Sequence, residues 1–331
     1  MAQPAGRIPN STPWPWRVAQ VAGVAALVVL LAGLVLRPER SLTLLWNVVI
    51  PLLPASFFLS PALWRAVCPL ATLNLAGNGL AGRRRLTRDL LPVAAVAGLT
   101  LLAVLVPARR FLFNNHGPAL AALIGGVAVM ALVMGTAWDV KAGFCNLLCP
   151  VLPVERLYGQ RPLINIENPR CLPCSRCTSR ACIDLDPERS LLLSIQRADR
   201  RPGKLNWLLT PYGIFAAAFP GFVAGYGTLQ DGGPGTAGHV FAHMALYAAA
   251  GFLATVLVVW VLNLAAPRAL LFSAAAAGGL YYWFTAVPMS RTLGLGHVGV
   301  DAIRAAGLVL VGVWLHAATG RNSGRTERRK A

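Results

Sequence analysis

Four cysteines in the run CLPCSRCTSRAC have the types and spacing for chemistry. Cys171, Cys174 and Cys177 follow one another at two-residue gaps, and Cys182 comes after four more residues. A C-x2-C-x2-C run lets one short loop wrap a cube of iron and sulfide, with one thiolate on each of three irons. In the usual run a fourth cysteine stands three residues further on, followed by proline. Here Ala181 holds that place, Cys182 arrives one residue late, and Ile183 follows it. The expected group is therefore a [4Fe–4S] cluster on Cys171, Cys174, Cys177 and Cys182, with the fourth ligand open.

Two other chemistries compete for these residues. Zinc sites pair C-x2-C hooks that lie far apart, often with histidine, and no histidine lies near this run. Disulfides need an oxidising compartment, which the charge distribution below argues against.

The remaining cysteines form a repeated unit. Trp64-Arg-Ala-Val-Cys68-Pro69 aligns with Cys145-Asn-Leu-Leu-Cys149-Pro150, and the two prolines are 81 residues apart. Each unit follows a pair of apolar stretches, as in a duplicated helical hairpin ending in a Cys-Pro turn. Trp64 stands in the first copy where the second has Cys145. Cys68, Cys145 and Cys149 are candidates for a second iron–sulfur cluster or a soft-metal site at the membrane surface. Packing as small apolar groups at helix ends is the simpler reading of either unit taken alone. A crossed arrangement also stands open, in which Cys182 joins Cys68, Cys145 and Cys149 on the second cluster.

The elements that must position these residues are membrane helices. Of the 331 residues 56% are hydrophobic and only 13% charged, and mean hydropathy is +0.58; soluble domains are about a quarter charged. Apolar stretches at Val18–Leu36, Leu42–Leu59, Leu90–Val106, Pro118–Trp138, Trp207–Tyr226, Val240–Leu264, Ala269–Val287 and Val298–His316 predict about eight transmembrane helices in an all-α integral membrane protein. Pro51 and Pro54 interrupt the second. The chain divides into helices 1–4 with the first Cys-Pro loop (1–138), an iron–sulfur segment (139–206), and helices 5–8 with a basic tail (207–331).

Net charge is +18, concentrated in a few loops. With eight spans, 24 Lys and Arg fall on the side of the termini and 6 on the other. The positive-inside rule then puts the termini and all seven cysteines in the cytoplasm, in a multi-pass inner-membrane protein. The basic balance speaks of orientation in lipid rather than of nucleic acid, and no aromatic–basic interleaving suggests base stacking.

A C-x3-C-P unit after a membrane span, followed by a ferredoxin-like cysteine run, resembles the NosR/NapH-type polyferredoxin membrane proteins, whose relatives include the RdxA/CcoG cytochrome-oxidase accessory proteins. The resemblance covers mainly residues 42–190. It implies a membrane-anchored iron–sulfur protein. Such a protein passes electrons between the quinone pool, or a cytoplasmic donor such as ferredoxin or flavodoxin, and a partner reductase subunit. Trp64 in place of a motif cysteine, and one run where many members carry two, are departures from the pattern.

Other residues complete the reading. Arg170, Arg176 and Arg180 surround the cysteine run; positive charge there favours a reduced, more negative cluster and an acidic redox partner. His239 and His243, at i,i+4, are candidates for a quinone or haem site, against the simpler reading of interfacial histidines. Asp301 and Arg304, at i,i+3, are expected to pair near a helix end. No nucleophile–base set, phosphate loop or zincin motif is present, so electron transfer leads. A copper-handling accessory protein using Cys68, Cys145 and Cys149 and a zinc-stabilised membrane scaffold are the alternatives.

Overall fold

The computed structural model describes residues 14–80, 90–138, 143–164 and 205–328, and every element among them is helical. The first half comprises α1 (Trp14–Leu36), α2 (Pro38–Leu44), α3 (Ile50–Leu59), α4 (Pro61–Val67), α5 (Pro69–Leu80), α6 (Leu90–Ala108), α7 (Gly117–Ala137), α8 (Phe144–Leu147) and α9 (Leu152–Tyr158). The second half comprises α10 (Pro211–Thr228), α11 (Ala237–Val261), α12 (Ala266–Leu293) and α13 (Gly296–Arg328).

Seven stretches among the described residues are long and apolar enough to cross a membrane. They are α1, the α2–α3 run, the end of α6 with the turn after it, α7, α11, α12 and α13 up to Gly320. The chain is therefore an all-α, multi-pass membrane protein. The run expected at Leu42–Leu59 starts earlier, at Pro38, and stays helical past Pro51 and Pro54.

The eighth expected span has a different character. α10 carries Tyr212, Tyr226, Thr228 and six glycines or prolines within its 18 residues, and it is not among the seven stretches apolar enough to cross. One face of it packs into the bundle, while Ile214 is exposed. Tyr212, Ala216, Ala217, Phe219 and Val223 are all buried, against α11, α12 and the end of α6. At its start Tyr212 Oη donates to the Pro153 carbonyl at 2.8 Å. At its end the Tyr226 carbonyl accepts from Arg110 Nη2 at 2.7 Å. These partners lie at opposite ends of the bundle, so α10 runs from one to the other over about 27 Å.

Local sequence sets the helix starts. Pro211 opens α10, and Thr210 Oγ1 accepts from Gly213 N at 2.9 Å, an N-cap that satisfies one of the first unpaired amides. His116 plays the same part for α7, accepting from Ala119 N at 3.0 Å.

Close packing then depends on missing side chains. On α10 the Tyr247 carbonyl fills the place where Gly221 would carry Cβ, and a Cβ on Gly251 of α11 would lie 2.6 Å from Gly221 N. Without a hydrophobic driving force between helices in lipid, such backbone approach is what holds them. Gly221→Ala is expected to destabilise the protein by about 1–3 kcal/mol, read as a lowered thermal unfolding midpoint in detergent. Gly238→Ala, where α11 has open space, should leave the midpoint near that of the parent.

Candidate metal centre

Each Cys-Pro unit is a break between two short helices. α4 ends at Cys68, whose amide still donates to the Trp64 carbonyl at 2.8 Å; Pro69, which has no amide hydrogen, then opens α5. In the second unit α8 ends just before Cys149, whose amide donates to Phe144 at 3.0 Å, and α9 begins two residues after Pro150. Proline restricts the residue before it to extended backbone and supplies no donor, so a Cys-Pro step stops one helix and starts the next.

The two units dock alike. The carbonyl of Val67, just before Cys68, presses on Gly23 of α1, where Cβ would otherwise sit. The Cys149 carbonyl presses on Gly98 of α6, 3.2 Å from an added Cβ. Gly23 and Gly98 lie nine and eight residues into the helices that open their respective hairpins, a distance of about 12–14 Å along each axis. Gly98 lies two residues inside the apolar stretch Val96–Phe113, so the second turn packs near the start of that span. Beyond the turns, α5 lies along α7, and α9 is buried, with Leu157 and Tyr158 packed in one core with Phe57, Phe58 and Tyr212. The first part of the 139–206 segment is therefore bundle core.

A buried ion pair ties one unit to the other. Arg65, three residues before Cys68, places Nε 2.6 Å from Oε1 of Glu155, six residues after Cys149, and both side chains are almost wholly enclosed. Arg156, Gln160 and Arg161 are buried beside them. Gln160 Nε2 reaches the Leu270 carbonyl at 3.3 Å, and Arg161 Nη1 reaches the Ala318 carbonyl of α13 at 2.5 Å, closing this end of the second half over the first.

Cys68, Cys145 and Cys149 are half-buried thiols without disulfides. Burial pushes the Cys149 thiol well above its usual range, and Cys145, Cys68 and Glu155 push it the same way. The three sulfurs from two distant stretches of sequence are thus neighbours, and a thiolate at Cys149 needs a cation to hold it. Among the described residues no three such side chains already meet at the ligating point of one ion. Asn146, between the two cysteines of the second unit, has a buried Oδ1 with no hydrogen-bond partner, and so does Asn74. Asn74 stands against Gly143 at the start of the same segment. As a donor set, three soft sulfurs suit iron–sulfur or another thiophilic metal, and a cubane requires one ligand more than these three. Cys171, Cys174, Cys177 and Cys182, with Arg170, Arg176 and Arg180, lie outside the described residues.

The histidines are not drawn into this centre. His239 and His243 lie at the opposite end, on α11, with ring centroids 6.0 Å apart. His243 Nε2 is 3.0 Å from Thr228 Oγ1, and its ring stacks on Tyr247 at 4.6 Å. No third metal-ligating side chain joins them among the described residues. At the same end Asp301 and Arg304 approach to 4.0 Å, while the Arg304 guanidinium lies over Trp283 at 4.2 Å.

No protein-family model, curated protein or solved structure matches this chain. The helices and the site are thus the whole basis for assigning a class, and the class they define is an all-α integral membrane protein.

Proposed function

We propose that this protein is a membrane-bound iron–sulfur electron-transfer protein, passing electrons between a quinone pool or a cytoplasmic donor and a partner redox protein. The observation that carries the reading is the meeting of two sequence-distant Cys-Pro turns at one end of the bundle, locked by Arg65 and Glu155. The chain that leaves this centre at residue 164 continues directly into the C-x2-C-x2-C run. A [4Fe–4S] cluster on Cys171, Cys174, Cys177 and Cys182 would accept and release one electron at a time. Cys68, Cys145 and Cys149 would hold a second cluster with one further ligand.

The protein's own residues supply the setting. Buried Arg65, Arg156 and Arg161 against the single buried Glu155 give an excess of positive charge among the described residues, and this favours an anionic thiolate-bound group. Partial burial of the three cysteines lowers the local dielectric around them. In the proposed orientation the cysteine-bearing end faces the cytoplasm, where an acidic ferredoxin, flavodoxin or reductase subunit would meet the basic loops. A copper-handling role for the three-thiol group is the second reading, favoured by its soft donor set.

Metal analysis of protein purified without oxygen separates these readings. About eight irons with matching acid-labile sulfide are expected if both clusters are present. The Cys68→Ser, Cys145→Ser double variant should lose about half the iron while the first cluster's EPR signal survives. Metal content and redox titration equal to those of the parent would remove the second site. A colourless protein containing zinc, or copper without iron, would overturn the electron-transfer reading.

A further inference from the structure

At the end of the bundle opposite the cysteines, two π-helical segments lie together. Leu45–Val49 joins α2 to α3, and Arg109–Phe113 follows α6. A π turn inserts one extra residue and throws neighbouring side chains out of helical register; it persists where something repays the distortion. The first segment carries Trp46, whose Nε1 donates to the Phe113 carbonyl of the second at 3.3 Å. The second carries Arg109 and Arg110 side by side.

The two arginines are treated differently. Arg110 has a carboxylate: Nη1 donates to Asp231 Oδ1 at 2.8 Å and Nη2 to the Tyr226 carbonyl at 2.7 Å. Asp231 Oδ1 also accepts from Asn114 Nδ2 at 2.7 Å. Arg109 spends only Nε, on Asn114 Oδ1 at 2.7 Å. Its guanidinium lies 4.0 Å from the Trp46 ring centroid and 5.4 Å from that of Tyr226. Neither Nη atom hydrogen-bonds to any described residue, and no carboxylate stands within ion-pair distance. All four turns at this end, residues 37–49, 109–116, 229–236 and 294–295, are among the described residues. Arg109 also keeps part of its surface exposed.

The result is a guanidinium whose plane is fixed by stacking and whose Nε is tied down, leaving two parallel N–H donors free. That is the fork that a phosphate or carboxylate engages through two oxygens. The surroundings select between a dissolved anion and a lipid. Leu44 and Val49 beside Trp46, and Phe241 packed on Phe111, are exposed apolar side chains on membrane-spanning elements. An anion bound at Arg109 thus has exposed apolar side chains on the same membrane-spanning elements that carry Trp46 and Phe111. Basic pockets between transmembrane helices are known to take lipid headgroups on the cytoplasmic side, and the same fork chemistry applies at this end of the bundle. We infer that Arg109, held by Trp46 and Asn114, binds the phosphodiester of an anionic phospholipid.

The test is the thermal unfolding midpoint of the purified full chain in neutral detergent, titrated with dioleoylphosphatidylglycerol, dioleoylphosphatidylcholine or inorganic phosphate. The phosphatidylglycerol is expected to raise the parent's midpoint saturably, and more than the other two. Arg109→Gln should weaken its apparent affinity about tenfold or more, the scale of a charge-assisted hydrogen-bond pair. Arg109→Lys keeps the charge but loses the fork and should also weaken it. Arg40→Gln, an exposed arginine at the same end, should bind as the parent does. Parent-like binding by both Arg109 variants overturns the assignment. Equal protection by phosphatidylcholine overturns the need for an anionic lipid, and equal protection by inorganic phosphate overturns the lipid source.

Discussion

Arg65→Met is expected to destabilise the protein by about 3–5 kcal/mol, because it removes the guanidinium that donates to the enclosed Glu155 carboxylate. The Arg65–Glu155 contact is 2.6 Å and both side chains are nearly sealed from solvent. Glu155→Gln keeps an oxygen acceptor for Arg65 and removes the carboxylate charge, so its cost should be smaller. The double variant Arg65→Met, Glu155→Leu should recover much of the loss, since an apolar pair of similar volume is often as stable as a buried ion pair. Equilibrium unfolding of the four proteins in detergent measures this. A single Arg65→Met variant as stable as the parent would show that the pair does not hold the two Cys-Pro turns together. Because Arg65 is three residues from Cys68 and Glu155 six from Cys149, the single variant is also expected to lose metal from the three-thiol group before it loses the bundle.

The second large effect is expected at Cys174. It is the central residue of the C-x2-C-x2-C run, flanked by Cys171 and Cys177 at equal spacing. No other thiolate can take its place without moving the loop, so Cys174→Ser should abolish the [4Fe–4S] signal of that run. Iron, acid-labile sulfide and EPR of the reduced protein are the measurements. An unchanged cluster spectrum would refute the assignment. Combined with the Cys68→Ser, Cys145→Ser variant, it separates the two sites: each should remove its own share of iron and leave the other signal in place.

Much of this architecture was legible in residue order, because the information was local. A run such as Val18–Leu36 states its own length and apolarity, and crossing a bilayer depends on little else. The Cys-Pro steps at 68–69 and 149–150 announce helix breaks for the same reason, since proline acts on its immediate neighbours. The i,i+3 pair of Asp301 and Arg304 was visible from spacing alone.

What depends on distant neighbours was not legible. Trp207–Tyr226 reads as one more span, yet α10 is not among the seven stretches apolar enough to cross, and which of its residues pack on other helices is set by those helices. Arg65 and Glu155 are 90 residues apart, and each taken alone is an ordinary charge near a helix end. Arg109 and Arg110 are identical neighbours in the sequence. Only the placement of Asp231, 121 residues from Arg110, and of Trp46 decides that one is neutralised and the other is left with an open fork. Hydropathy and backbone breaks are properties of a stretch of chain and were determined by the sequence alone. The pairing of buried charges is set by the packing of helices remote in sequence, and that was decided only by the tertiary structure.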